Sequence, residues 1–205
     1  MELKNKPHAK GTRQLFNNPV LERLTRTHIS IPLILFGTIA TGLIVYGLDK
    51  GYINAINTPL LFVGGLLSFT LVEYIMHRFV FHLAPKNERQ EKFAYTVHGV
   101  HHDYPKDKDR LAMPPLLSIL LSTGFFFLFK LMMGNLAFAF LPGFVMGYAS
   151  YLWVHYMVHA FQPPKNFFKV LWIHHGIHHY KDPENAFGVS SPFWDVIFGT
   201  MPKKR

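Results

Sequence analysis

Histidine is the residue type of this sequence whose number and spacing could support chemistry. The chain has 13 histidines, of which only His8 and His28 stand alone. The others occupy four short windows with the sequences HRFVFH (77–82), HGVHH (98–102), HYMVH (155–159) and HHGIHH (174–179). Neutral imidazole binds iron, copper and zinc, so the residue type alone does not select a metal. We interpret the four windows as parts of a metal site.

The spacing within the second window indicates how imidazoles could be shared between ions. His98 and His102 are four residues apart, so on a helix their side chains lie on one face. The adjacent His101 and His102 would point about 100° apart on a helix and would serve different ions. The window 174–179 repeats the H-x-x-H-H spacing. This many imidazoles predicts a site for two ions.

The other two windows fall at the ends of apolar segments. His155 and His159 are four residues apart and predict one shared helical face. His77 and His82 are five residues apart, which suits a single ideal helix less well unless the helix ends or bends between them. Because both pairs are expected on the same side of the membrane, all four windows can meet just outside the bilayer.

Four apolar segments must position these windows, and each is long enough to cross about 30 Å of hydrocarbon as a helix. The segments span residues 29–48, 58–80, 114–133 and 136–158. Short joins within each pair predict two helical hairpins. The predicted fold class is therefore all-α, an integral membrane protein with four transmembrane helices. A cytoplasmic helical cap, residues 81–113 and 159–205, would carry most of the histidines.

Basic residues are distributed very unevenly along the chain. Of 21 lysines and arginines, 19 lie in residues 1–28, 77–110 and 160–205, whereas Lys50 lies in the first short join and Lys130 lies near the end of the third segment, close to the second join. By the positive-inside rule, both termini and the central segment are cytoplasmic. The membrane would be the inner membrane of a bacterium or the endoplasmic reticulum of a eukaryote. The net charge of +9 flanks apolar segments, which favours membrane lipids and argues against nucleic acid as a partner.

The first 28 residues form a separate cytoplasmic segment. They contain no apolar core, so no cleavable signal is predicted. Asn18 and Pro19 begin a capped amphipathic helix, which lies on the membrane surface or simply connects to the first span. The absence of cysteine excludes disulfides and thiolate ligands.

Five stretches resemble one known family. They are QLFNNPVLERLTRT (14–27), EYIMHRFVFH (73–82), HGVHHDYPKDKDRLAMPP (98–115), HYMVH (155–159) and HHYKDPENAFGVSSPFWDVIFGT (178–200). The chain is similar to the integral-membrane fatty acid hydroxylase and sterol desaturase superfamily. Within that superfamily it looks most like the fatty acid 2-hydroxylases.

The resemblance implies a membrane-bound dimetal monooxygenase that uses O2 to hydroxylate a lipid acyl chain at C2. Iron is the metal expected for activity, whereas zinc, which binds imidazole more tightly than iron(II) does, can occupy the site in isolated protein. The expected ligands are His77, His82, His98, His101, His102, His155, His159, His175, His178 and His179. No cytochrome b5-like domain is visible in the sequence. A separate carrier, a ferredoxin or a cytochrome with its reductase, would therefore supply electrons.

Several further residues could orient the ligands. These candidates are Glu73, Asp103, His174, Asp182 and Asp195. The extra histidine, His174, either contacts a ligand or faces solvent, and we favour solvent. Leu152 occupies a position that is often acidic in the family, and Ala160 a position where His or Gly is common. The first departure would remove a group that orients an imidazole.

Two alternative functions remain open from the sequence. A carotenoid or sterol hydroxylase of the same superfamily shares the bare H-x-x-H-H spacing. A membrane metal transporter is a more distant alternative, and it would place ligands deep within the spans or in loose loops. The regular spacing near one membrane face favours the hydroxylase.

Overall fold

The structure is a computed structural model that describes residues 7–8 and 11–202. Within those residues every regular element is helical, which confirms the all-α prediction for that part of the chain. The α-helices are α1 (Pro19–Leu24), α2 (Ser30–Asp49), α3 (Thr58–Ile75), α4 (Glu88–Ala94), α5 (Val100–Asp103), α6 (Pro115–Met133), α7 (Ala137–Ala160), α8 (Lys169–Tyr180) and α9 (Phe193–Ile197). Two π-helices, Met76–Phe81 and Tyr95–Gly99, and two short 3-10 turns lie between them.

Three helical stretches of the described chain are long and apolar enough to cross a membrane. They are Ser30–Asp49, Thr58–Phe81 and Lys108–Ala160. The third contains both α6 and α7, joined by a 3-10 turn that begins at Gly134 with a φ of 60°. Helices α2, α3, α6 and α7 thus begin and end close to the four predicted apolar segments. The arrangement as four spans stays a prediction.

Helices α3 and α7 approach each other closely because glycines line their contact. A Cβ atom at Gly143 would lie 1.8 Å from the carbonyl oxygen of Phe62, and one at Gly65 would lie 2.0 Å from that of Phe140. Gly147 similarly faces Phe69. Small residues allow two helix backbones to pack closely in a membrane protein. This contact places the end of α7, which carries His155 and His159, beside the π-helix that continues α3 and carries His77.

The N-terminal segment is fastened to the segment that precedes α6. As predicted, Asn18 caps α1, accepting hydrogen bonds from the backbone N–H groups of Val20 and Leu21. The Arg110 side chain is only 3% exposed; it pairs with the carboxylate of Glu22 and donates to the hydroxyl of Thr25. These contacts hold α1 against the chain that follows α5.

Candidate metal centre

The structure brings the ten predicted ligand histidines together in two groups of five. In each group, one ring nitrogen from every member lies within 4.8 Å of the others. Group A contains His77, His82, His98, His102 and His178. Group B contains His101, His155, His159, His175 and His179. Each group draws on at least three separate helical elements, so neither exists before the chain has folded.

A π-helix explains how His77 and His82 share group A despite their spacing. The helix continues from α3 as Met76–Phe81, and the N–H of His82 donates to the carbonyl of His77, 3.1 Å away. A π-helix bonds residues five apart, so this turn brings the two side chains to the same side. From the sequence, this spacing suited one helix poorly unless the helix ended or bent here, and the structure supplies a widened turn.

Adjacent histidines are divided between the two groups, as the helical spacing predicted. His101 belongs to group B and His102 to group A, and both lie in α5. His178 and His179 of α8 are divided in the same way. Each of these two helices therefore contributes to both groups and sets their separation.

The ring nitrogens that converge are Nε2 atoms in both groups. Neighbouring Nε2 atoms lie 3.0 Å apart in group A and 2.8 to 3.1 Å apart in group B. With metal–nitrogen bonds of about 2.1 Å, adjacent ligands are about 3.0 Å apart in an octahedron and about 3.4 Å apart in a tetrahedron. These separations are those of nitrogens that can bind one ion, so the five rings of each group could share a metal.

Two backbone carbonyls determine the tautomers of two histidines in group A. Nδ1 of His77 lies 2.5 Å from the carbonyl oxygen of Phe187, and Nδ1 of His178 lies 2.8 Å from that of Asn185. A carbonyl can only accept, so each Nδ1 carries the proton and donates. Nε2 is then left with a free lone pair directed into the group. This is the arrangement that metal-ligating histidines use in proteins.

Burial keeps the imidazoles outside the apolar spans neutral. Loss of water, together with the neighbouring imidazoles, lowers the pKa of His102 to about 3. The same causes hold the pKa values of His98, His178 and His179 well below the usual range for histidine. Neutral imidazole is the form that binds metal, so these side chains are ready to act as ligands at pH 7.

Glu73 is buried one helical turn before His77 and acts on the ligands indirectly. Its carboxylate accepts hydrogen bonds from the backbone N–H groups of Val189 and Ser190, each at 2.8 Å, and from the hydroxyl of Ser190. It does not touch an imidazole directly. It holds the segment whose carbonyl at Phe187 accepts from His77.

Asp195 holds the same segment from the other side. Its carboxylate accepts from the N–H groups of Phe187 and Gly188, at 2.9 and 2.8 Å. Burial alone would raise the pKa of Asp195, but hydrogen bonds from His174, Thr200 and these N–H groups lower it. Asp195 therefore stays ionised and can continue to accept.

Our preference for a solvent-facing His174 was wrong. The residue is 4% exposed, and its Nε2 lies 2.9 Å from the carboxylate of Asp195. It lies outside both groups of five. Its neighbour in sequence, His175, enters group B instead. The burial of His174 follows from the position of Asp195, which local spacing cannot reveal.

The remaining candidates lie near the centre but form no hydrogen bond with a ligand ring. Asp103 accepts from the hydroxyl of Tyr95 at 2.8 Å. Asp182 accepts from the side chain of Asn185 at 2.9 Å and so supports the carbonyl that faces His178. Leu152 is fully buried in the hydrophobic core. Sequence reasoning missed the carbonyls of Asn185 and Phe187, because every residue carries a carbonyl and no side-chain type marks these two.

Comparison with known proteins identifies the family of the chain. The fatty acid hydroxylase family profile matches residues 62–200. The chain is similar to a ceramide very long chain fatty acid hydroxylase of Schizosaccharomyces pombe, with 37% identity over 93% of this chain and 55% of that protein. It is 34% identical to a dihydroceramide fatty acyl 2-hydroxylase of Arabidopsis thaliana, over 92% of this chain and 80% of that protein.

A solved structure is similar as well. The hydroxylase domain visible in full-length scs7p superposes with a TM-score of 0.85 at 35% identity, covering 95% of this chain and 74% of that one. The chain spans about half the length of several of the curated relatives that it matches. The apolar helices and these relatives together indicate an integral membrane protein. The chain belongs to the fatty acid hydroxylase family.

Proposed function

We propose that this protein is a membrane-bound dimetal monooxygenase that hydroxylates the acyl chain of a lipid at C2, using O2 and electrons from an external donor. The observation that carries the proposal is the convergence of five Nε2 atoms in each of two buried groups. Buried lone pairs about 3 Å apart repel one another unless a cation lies between them. Two such groups side by side fit two metal ions.

The ligand set favours iron for activity. Five imidazoles exceed the four ligands that zinc in proteins usually takes, and they suit an ion that readily takes six. Zinc nevertheless binds imidazole more strongly than iron(II) does, so isolated protein is expected to carry zinc. Bound metal would supply the activation of O2 and the attack on an unactivated C–H bond.

The residues of the chain position and protect that chemistry. Insertion of an oxygen atom from O2 into the C2–H bond is chemistry that the bound metal would supply, so the work of the protein is positioning. The carbonyls of Asn185 and Phe187 orient His178 and His77. All five histidines of group A and four of the five in group B are buried, which excludes bulk water.

The substrate class rests on the relatives. Proteins named as hydroxylases of ceramide, dihydroceramide fatty acyl groups and fatty acids share 30% or more of their residues with this chain. A centre at the end of apolar helices suits a lipid whose headgroup lies in water and whose chain lies in the bilayer. We propose an acyl chain, free or in a sphingolipid-like lipid, and a ferredoxin or a cytochrome with its reductase as donor.

Expression in a host without 2-hydroxylated lipids, together with a working redox carrier, tests the proposal. Mass spectrometry of the extracted fatty acids should show a 2-hydroxy product. His178→Ala removes a group A ligand. Loss of a residue that only hydrogen-bonds a ligand typically costs about 10–100-fold, so this variant should reduce the product by more than that. His28→Ala, which changes an exposed histidine bonded to Ser30, is the matched control and should retain the product.

Three outcomes would each contradict a different part of the proposal. Product that survives His178→Ala would show that the metal centre is assigned wrongly. Metal-loaded protein with an active donor that yields no 2-hydroxy product, but oxidises an added carotenoid or sterol, would show that the substrate is assigned wrongly. Metal flux into proteoliposomes without lipid modification would favour a transporter.

A further inference from the structure

The segment Asn185–Ser190 is built around an unusual backbone conformation. Ala186 has a φ of 59°, a left-handed conformation that is unfavourable for a residue with a Cβ atom. Its N–H donates to the carbonyl of Thr200 at 2.9 Å, which holds it there. The residues on either side, Asn185 and Phe187, are the two whose carbonyls accept from group A imidazoles. Such backbone strain is typical of functional segments.

Two carboxylates clamp this segment from opposite sides. Glu73 of α3 accepts from the N–H groups of Val189 and Ser190, and Asp195 of α9 accepts from those of Phe187 and Gly188. Four successive backbone donors are therefore held by two buried side chains. Glu73 is 6% exposed and Asp195 is fully buried, so water competes little for these hydrogen bonds. The clamp keeps the carbonyls of the segment aimed at group A.

Group B has no corresponding clamp among the residues that the structure describes. The Nδ1 atoms of His101, His155, His175 and His179 are buried without a protein partner. In group A, Nδ1 of His82 is buried in the same way, but those of His77 and His178 donate to carbonyls. Leu152 lies one helical turn before His155 and has no group that could accept. A hydrogen-bond acceptor at the ring nitrogen that does not bind metal fixes the ring orientation and makes the other nitrogen more basic. Loss of such an acceptor typically costs about 10–100-fold in metal affinity.

We propose that the two metal subsites are unequal: group A holds its ion more tightly than group B, and Glu73 is the positioning residue responsible for part of the difference. The proposal rests on the two-metal centre proposed above. Glu73 acts through the Asn185–Ser190 segment, without contacting a ligand. In the working protein, the group A ion would be retained while the group B ion exchanges.

Chelator titration of the metal-loaded full chain tests the inequality. Protein loaded with Zn²⁺ in detergent micelles is dialysed against increasing chelator, and metal per chain is measured by plasma mass spectrometry. We expect two steps, with the first ion lost at a chelator concentration at least about 10-fold lower than the second. His179→Ala should retain the tightly held ion, whereas His178→Ala should retain the loosely held one.

Variants of Glu73 test its role. Glu73→Ala should lower the chelator concentration that removes the tight ion by about 10–100-fold and leave the other step in place. Glu73→Gln should largely restore the tight step, because its amide oxygen can accept the same two N–H groups. Glu22→Ala is the matched control: Glu22 also accepts from two successive N–H groups, those of Leu15 and Phe16, but far from the segment in sequence.

Circular dichroism and a milder variant, Ser190→Ala, keep the test informative if Glu73→Ala folds poorly. Loss of both ions from the wild type in a single step would overturn the inequality. Equal shifts of both steps in Glu73→Ala, or the same shift in Glu22→Ala, would overturn the role of Glu73. A wild-type chain that binds fewer than two ions would instead contradict the two-metal centre itself.

Discussion

At the residue scale, the centre depends on keeping many imidazoles neutral in a small volume. Burial opposes the charged form of each ring, and every neighbouring ring would repel a second proton. His102 shows the result, with its pKa lowered to about 3. The rings therefore stay neutral, and each keeps a lone pair that can bind a metal ion.

Acid should destabilise the metal-free protein for the same reason. The folded-state pKa of His102 lies below the ordinary value of 6.5, so between these values the unfolded chain binds a proton that the folded chain does not. The contribution of such a histidine to the free energy of unfolding is complete above pH 6.5. It falls as the pH decreases towards about 3, by about 1.4 kcal/mol per pH unit for each such histidine. Thermal unfolding in micelles, followed by tryptophan fluorescence from pH 7.5 to 5, measures the effect.

His102→Asn is the comparison for this titration. It removes one of the depressed groups and should make the dependence of the melting temperature on pH shallower. A melting temperature of the metal-free protein that is constant, or that rises as the pH falls, would contradict the account of the buried imidazoles.

At the element scale, helix geometry decides which histidines meet. The π-helix at Met76–Phe81 accommodates a spacing of five, and the α-helical turns of α5 and α8 separate adjacent histidines into different groups. The close contact of α3 with α7 then brings a group A element beside a group B element. Glycines at that contact are required because a Cβ atom would overlap the opposite backbone.

Gly143→Ala tests the α3–α7 contact. The added Cβ would lie 1.8 Å from the carbonyl oxygen of Phe62, so the helices must separate. Overpacking of this kind typically costs about 1–3 kcal/mol, and the melting temperature in micelles should fall by several degrees. Gly124→Ala in α6 is the control, because its Cβ meets nothing within 4 Å and alanine adds up to about 1 kcal/mol of helix propensity. Equal melting temperatures for both variants would contradict the contact.

At the scale of the whole molecule, one membrane face should carry the centre. The apolar stretches leave large side chains such as Leu60 and Leu131 exposed on the chain, as expected for surfaces that meet lipid. The basic residues concentrate in the segments that hold the histidines, and this distribution supports a cytoplasmic centre with both termini on the same side. A soluble redox carrier could then reach it.

Single cysteines can test this topology, since the chain has none of its own. Ile56 lies in the join after α2 and Glu88 at the start of α4, and both are exposed. Ile56→Cys should react with a membrane-impermeant maleimide added to intact cells, whereas Glu88→Cys should react only in inverted vesicles. Labelling of both positions from one side would contradict two hairpins with cytoplasmic ends.

The sequence by itself determined the helical class, the approximate bounds of the apolar helices and the four histidine windows. These features depend on hydropathy and on spacing within one helical turn, which are local. The assignment of His77 and His178 to one group joins the π-helix that follows α3 to α8, and only the tertiary structure decided it. The burial of His174 and the carbonyls of Asn185 and Phe187 were likewise decided by folding, because they depend on contacts between distant segments and on backbone atoms that every residue shares.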